Sequence, residues 1–564
     1  MNAAPGRSRY GLFILLRRLR YPLAFVVLAY AVAVFGFTLV PGIDPDGEPW
    51  TMNFLDAFYF VSILGTTIGL GEVPHPFSEL QRLWGTFAIY ATVISWLYAL
   101  GAFFNVLQDP VFRRILHEGR VERAVRRLRE PFHLICGYDD AGSRVARELT
   151  EDARRSVVVE IDPARADAVD IEDLTLHVPA LAGDAADPKT LLLAGLTHPQ
   201  CAGVIALTGD DHVNIKIALT ARLLNPGLPV LCAVRNHASH ARMAAAGADH
   251  LINPYDTFAE RVALSIRTPS LHVIYESLTT QTGTAYDDVQ KIPRGRWILC
   301  GFGRFTRALR RHLERLGVEC VVVAAELDAS CDAGNSVQGD PTDPAVLRRA
   351  DIEHSTALVA ATPLDSDNLA IVLAGRAANK RIFIIARETR RRNAAVFRAA
   401  PADLVTLSGY VIAAEVLRVI RTPQLATFLR LARDQDEAWA AALLARMREV
   451  IGNEIVEPWS IECTPDAAPT VCEALGRGEA VTVGRLMLRT DLSRDAEHSI
   501  ALLLQRDQTR SLLPAADTPL AAGDRVLFCG RASARRAMRR LVISYALPAP
   551  MAAAPPEAAR AVLH

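Results

Sequence analysis

The sequence predicts an α-helical membrane part, two spans with a re-entrant half-helix between them, followed by α/β: two Rossmann-like repeats and a small α+β unit at the end. Three observations carry this prediction. Two charge-free runs, Tyr21 to Val40 and Trp84 to Val106, are each long enough to cross a hydrocarbon core. From residue 131 onward, short apolar strands alternate with helix-like segments, the pattern of βαβ units on a parallel sheet. That pattern then recurs further along the chain.

The membrane part comes first. Five arginines lie in residues 7–20 and seven in residues 113–129, flanking the two runs on their outer ends, while Asp44, Asp46 and Glu48 lie between them. The positive-inside rule then puts both termini in the cytoplasm of a multi-pass protein of the cell (inner) membrane, with the lipid bilayer as partner. Pro41-Gly42 ends the first run where a signal peptide would need a small-residue cleavage site. Asn53 to Ile63 is aromatic and apolar but too short to span, so it is expected to be re-entrant. It runs into Thr66, Thr67, Ile68, Gly69, Leu70, Gly71 and Glu72. Glycines at i, i+2 free the backbone for a ring of carbonyls that replaces the water of a dehydrated ion. The C-terminal dipole end of a half-helix favours a cation there.

In the order span, half-helix, Thr67-Ile68-Gly69-Leu70-Gly71, span, the segment resembles the pore unit of two-transmembrane potassium channels. The resemblance implies that residues 66–72 form a selectivity filter for K+. One chain supplies one filter strand, so a homotetramer follows from it. Leu70 stands where an aromatic is usual, and Glu72 where an aspartate is usual. Gly101 and Ser95 both stand as positions for a gating hinge.

The α/β part opens after the basic linker. His133-Leu134-Ile135-Cys136-Gly137 matches Trp297-Ile298-Leu299-Cys300-Gly301; Gly183-Asp184 matches Gly339-Asp340; Asn214 matches Asn368; and Arg267-Thr268-Pro269 matches Arg421-Thr422-Pro423. Each copy opens with a glycine turn of the kind that lets a phosphate approach a helix N-terminus. Copy one has Gly137, Asp139 and Gly142, and copy two has Gly301, Gly303 and Arg304. The acidic residue that would accept bonds from a ribose is Glu160 in copy one, with Asp162 close by. In copy two, Ala324 holds that position and Glu326 follows. Neither copy is a full dinucleotide fingerprint. Copy one keeps the acids and copy two the better phosphate turn; the sequence leaves both open, with a slight preference for copy one.

With the glycine turns, Gly183-Asp184 ahead of a helix, and Thr208-Gly209-Asp210-Asp211 with Asn214, residues 131–430 resemble the regulator-of-potassium-conductance (RCK) domain, the TrkA-N-like module of Trk-type uptake regulators. The resemblance implies NAD(H) or another adenine nucleotide as regulatory ligand. Its site residues would be Gly137, Asp139, Gly142, Glu160, Asp162, Gly183, Asp184 and Thr208 in copy one, and Gly301, Gly303, Arg304, Glu326, Gly339 and Asp340 in copy two. Some relatives also bind a divalent cation such as Ca2+, for which Asp139, Asp140, Asp210 and Asp211 are the cluster to weigh against plain solvated turns. Helices at about 256–280 and 408–434 end the two units, and in this family such helices pack against a partner domain.

The expected organisation is therefore a cytoplasmic N-terminus (1–20), a transmembrane pore domain (21–108), a basic linker (109–130), a first RCK domain (131–292), a second (293–454), a C-terminal RCK-like subdomain (455–545) and a disordered tail (546–564). In the subdomain, Ala480 to Val483 and Ile500 to Leu504 read as strands. Acidic and basic residues balance at 62 each, so bulk charge points to no nucleic-acid partner. The nine cysteines show no metal spacing and read as reduced core thiols. The expected function is a ligand-gated potassium channel, not an enzyme. The rival readings are a membrane-anchored subunit of a potassium transporter and a nucleotide-dependent oxidoreductase, for which no hydride-transfer constellation stands out.

Overall fold

The computed structural model describes residues 7–44, 46–66, 76–279, 292–327, 335–452, 454–487 and 498–544. Residues 67–72 of the expected filter and the tail from 546 lie outside these segments.

The outer span runs Arg7–Leu39 and the inner span Glu79–Gln108, both long and apolar enough to cross a membrane. A two-residue hairpin, β1 (Gly42–Ile43) and β2 (Pro49–Trp50), turns between them on the way to the half-helix Phe54–Gly65. Asn53 starts that helix by accepting the Asp56 N–H. The inner span begins earlier than its charge-free run, because Ser78 and Gln81 close a reciprocal capping box and place Glu79 and Arg82 in its first turn. Gln81 also donates to the Val40 carbonyl at 3.3 Å, tying the end of the first span to the start of the second. Ala33, Val34, Phe37, Met52, Ala57, Val61 and Ala88 form the small core of the three-helix unit.

The repeats share one topology. In repeat one, β3 (Phe132–Cys136), β4 (Arg155–Glu160), β5 (Ala180–Ala182), β6 (Cys201–Ala206), β7 (Val230–Ala233) and β8 (His250–Ile252) lie parallel in the order β5-β4-β3-β6-β7-β8. In repeat two, β9 (Trp297–Cys300), β10 (Cys320–Ala324), β11 (Ser336–Gln338), β12 (Ala357–Ala360), β13 (Phe383–Glu388) and β14 (Leu404–Leu407) follow the same order. Both are doubly wound sheets whose order reverses at the first strand, which puts the glycine turn at the switch point.

The unit-ending helices differ from the single helices expected. Each breaks at its Thr-Pro pair, because a proline cannot donate to the ladder and forces its predecessor out of the helical region. The first divides into Pro254–Arg267 and Pro269–Thr279, the second into Ser408–Arg421 and Pro423–Ala432. The leading halves exchange places. Phe258, Ala259, Val262 and Ile266 of repeat one are buried with Trp297, Leu299 and Leu309 of repeat two. Ile412, Ala413, Val416 and Leu417 of repeat two are buried with Ile135, Val145 and Val158 of repeat one. Each sheet is thus covered by the last helix of the other repeat.

The trailing halves, with the helix Glu437–Ile451, pack on one face of a four-stranded antiparallel sheet of β15 (Glu457–Glu462), β16 (Ser499–Arg506), β17 (Thr509–Leu512) and β18 (Arg525–Gly530). Its other face packs on the helices Pro469–Gly476 and Ala532–Ser544. Residues 480–483 form a single bridge, Thr482 to Pro519, and then a short helix, not the strand expected from their apolar run.

Candidate functional site

At the pore unit the half-helix ends at Thr66, whose hydroxyl donates to the Ser62 carbonyl at 2.8 Å. The last helical residue, Gly65, admits the tyrosine of the outer span: a Cβ there would lie 2.0 Å from the Tyr30 hydroxyl oxygen. Trp96 of the inner span donates to that same hydroxyl at 3.0 Å. One tyrosine therefore joins all three helices immediately before residue 67. Nearer the Val40–Gln81 contact, Gly36 seats the Trp84 indole, which donates to the Ala33 carbonyl at 3.1 Å. Gly101 meets nothing within 4 Å, and Ser95 is buried with its hydroxyl on the Thr92 carbonyl.

The two glycine turns are alike in backbone and opposite in filling. Gly137 and Gly301 both take positive φ, +99° and +89°, and pack against the end of the next strand in sheet order, so a side chain at either position would be strained. In repeat one, Asp139 caps the following helix. Its Oδ1 accepts the N–H groups of Ala141 at 3.0 Å and Gly142 at 3.3 Å, and Arg235 reaches its Oδ2 at 3.4 Å. A carboxylate already occupies the place where a phosphate would meet the helix. Glu160 is turned inward as well: it is buried, and its oxygens accept the N–H of Tyr138 at 2.6 Å and of Asp162 at 3.0 Å.

In repeat two, Gly303 starts the helix Arg304–Arg315 with no side-chain cap, and a Cβ there would meet nothing within 4 Å. The third-glycine position also differs. A Cβ at Gly142 would lie 2.0 Å from the Gly137 carbonyl oxygen, whereas repeat two carries a buried Thr306 at the matching position. Arg387 lies beside this turn, flanked by the Tyr255 and Phe305 rings at 5.6 and 5.8 Å, with its Nε buried and without a partner. Sequence reasoning missed Arg387. Its signal is an arginine inside the apolar strand β13. Glu326 is exposed beyond the end of β10.

The other expected site residues serve the backbone. Asp184 accepts the Ala186 N–H at 2.8 Å and Asp340 the Thr342 N–H at 2.9 Å, each closing a turn after an edge strand. The N–H groups of Gly183 and Gly339 continue the ladders to Glu160 and Ala324. Thr208 is held by the buried Asn214, whose Oδ1 lies 2.6 Å from its hydroxyl, and Thr362 with Asn368 repeats the arrangement.

The four aspartates weighed as a cation cluster do not converge. Asp139 and Asp210 are helix caps, Asp211 accepts the N–H groups of Arg235 and Asn236, and Asp140 reaches across to the Arg391 N–H at 3.4 Å. Among the described residues no group of three or more His, Cys, Asp or Glu side chains could hold a metal. The crossing contact of Asp140 brings it near Glu388, a buried residue at the end of β13. Burial first, then the charges of Asp365 and Asp140, push the Glu388 carboxyl above its usual range.

The ion channel family matches residues 23–109, and the TrkA-N domain family matches twice, at 133–254 and 297–408. Potassium channel protein 1 of Methanocaldococcus jannaschii is 24% identical over 231 residues, 41% of this chain and 67% of that protein. The Trk system potassium uptake protein TrkA of Azorhizobium caulinodans is 31% identical over 180 residues, 31% of this chain and 37% of that one. A protein of Methanothermus fervidus matches over 34% of its own length, so the chain spans about a third to two thirds of such relatives. A solved structure, the GsuK channel bound to NAD, aligns over 94% of this chain and 99% of its own at 17% identity, with a TM-score of 0.44. The chain thus carries an ion-channel segment at residues 23–109, followed by tandem TrkA-N, or RCK, domains.

Proposed function

We propose that this chain is a potassium channel: four copies surround one pore in the inner membrane, with both termini in the cytoplasm, and an adenine nucleotide bound at repeat two gates it. The observation that carries the pore reading is the half-helix, held between two spans by Tyr30 and Trp96 and ending at Thr66, directly before Thr67-Ile68-Gly69-Leu70-Gly71. Backbone that leaves a helix at membrane depth needs partners, and an ion path supplies them. The ion-channel match and the Methanocaldococcus relative, named a potassium channel, support the same reading. Purified protein in liposomes is expected to pass K+ and Rb+. Gly69→Ala is expected to abolish that flux while the tetramer still assembles, and persisting flux would count against the filter.

The nucleotide reading favours repeat two, because Asp139 fills the cradle of repeat one and Gly303 leaves the matching cradle open. Gly301, Gly303 and the first-turn N–H groups of the following helix would hold a phosphate, with Arg304 and Arg387 as cationic partners. Bound nucleotide supplies negative charge to that turn and biases the gate only by its different affinity for open and closed rings. Gly303→Asp copies the filling of repeat one and is expected to remove binding of NAD, ADP or ATP by the full chain in calorimetry. Undiminished binding by that variant would move the site elsewhere. No divalent cation enters this reading, because the aspartates considered for it are bound to backbone N–H groups.

A further inference from the structure

The linker between pore and repeats is not a free tether. It is a helix, Pro110–Arg126, that starts directly after the inner span at the extended residue Asp109 and packs against both spans. One side of it belongs to repeat one. Val121 and Val125 are buried with Phe132, Leu181 and Leu191, and His117 Nε2 lies 2.8 Å from the Ala180 carbonyl oxygen on edge strand β5. A separate stripe at helical spacing carries Arg113, Leu116, Arg120 and Arg123, continued by Arg127, and all five are exposed. Among the described residues, the acids of the linker pair with arginines that lie off the stripe. Glu118 pairs with Arg114, Glu122 with Arg126 and Glu130 with Arg155. The outer span adds the exposed Arg17 and Arg20. Helices of like charge are thus packed together at the end of two membrane spans, an arrangement that calls for anions.

We propose that the Arg113–Arg127 stripe of the linker helix binds anionic phospholipid headgroups of the cytoplasmic leaflet. The linker then clamps repeat one to the membrane surface, docked to protein by one side and to lipid by the other. This rests on the membrane orientation given above. Two features select lipid over a soluble anion: the stripe continues directly from the spans, and Leu116, 49% exposed, sits among the arginines where an acyl chain meets its headgroup.

The test is lipid retention by the purified full chain, counted by native mass spectrometry after titration with dioleoyl-phosphatidylglycerol or dioleoyl-phosphatidylcholine. It needs no ion current, so it stands apart from a failure of the pore reading. We expect phosphatidylglycerol to be retained about fivefold over phosphatidylcholine, with the preference falling as salt rises. Replacing Arg113, Arg120, Arg123 and Arg127 by Gln should abolish the preference at unchanged melting temperature, and replacing them by Lys should keep it. Equal retention of both lipids, or undiminished preference in the Gln variant, overturns the proposal. So does complete displacement of phosphatidylglycerol by millimolar inositol hexakisphosphate, which would make the stripe a site for soluble polyanions.

Discussion

Gly36 in the pore unit acts through what it excludes. A Cβ at Gly36 would fall 2.0 Å from the Trp84 ring. Gly36→Ala is therefore expected to destabilise the pore unit by about 1–3 kcal/mol, the usual cost of overpacking, in thermal unfolding of the full protein. Trp84→Leu in the same chain should recover part of the loss, which a purely backbone effect of the alanine would not allow. Glu388 offers a pH-dependent case. Its folded-state carboxyl titrates above its unfolded value, so folding favours the protonated form, and stability is lost as pH rises through the folded value. Glu388→Gln should melt above wild type at about pH 8, and the gap should close toward about pH 4. A gap that widens on acidification would mean that the charged form is favoured in the fold.

At the scale of elements, the sequence position of a helix does not say which core it serves. Phe258 lies in repeat one by sequence but is buried against Phe305, with ring centroids 5.2 Å apart. Phe258→Ala is expected to cost roughly 3–5 kcal/mol, the range for emptying a buried aromatic site. Hydrogen exchange should place the loss in β9 and β12 of repeat two; faster exchange confined to repeat one would contradict the exchange of helices. The linker helix follows the same logic. Gly195, at φ +92°, leaves room for Val125, whose Cγ1 would lie 2.7 Å from an added Cβ. Gly195→Ala should loosen the linker as well as its own turn, since both the conformation and the space forbid a methyl group.

At the scale of the molecule, exchanged helices make the two repeats one cooperative body. Cutting between them leaves each sheet with an uncovered apolar face. A fragment of residues 131–292 is therefore expected to be insoluble alone and to be rescued by co-expression with 293–545. A soluble, monomeric, cooperatively melting 131–292 would refute that expectation. The body also has unequal halves. One repeat carries its own anion at the phosphate turn and the other leaves the turn open, so one nucleotide per chain is the expected stoichiometry, and Asp139→Gly is expected to raise it toward two. The linker, part of this body by one side, meets the inner span directly at Asp109 and Pro110.

The chain's local chemistry by itself determined the two spans, the half-helix with its Asn53 cap, the twofold repeat and the parallel sheets. Hydropathy, strand period and helix caps act between near neighbours, so they can be read in order. The Thr-Pro breaks were also written in the sequence, in the repeated Arg-Thr-Pro triplets, although the expectation of single helices passed over them. The glycine turns were legible as turns, but their filling was not. Whether Asp139 points at solvent or at its own helix, and whether Glu160 faces a ribose or the Tyr138 N–H, depends on rotamers set by packing. Only the tertiary structure decided these points, as it decided the exchange of the crossing helices, the place of Arg387 beside the second turn and the docking of the linker. The exchange, Arg387 and the linker docking rest on contact between residues far apart in sequence, and contact of that kind is selected by the shape of the whole core.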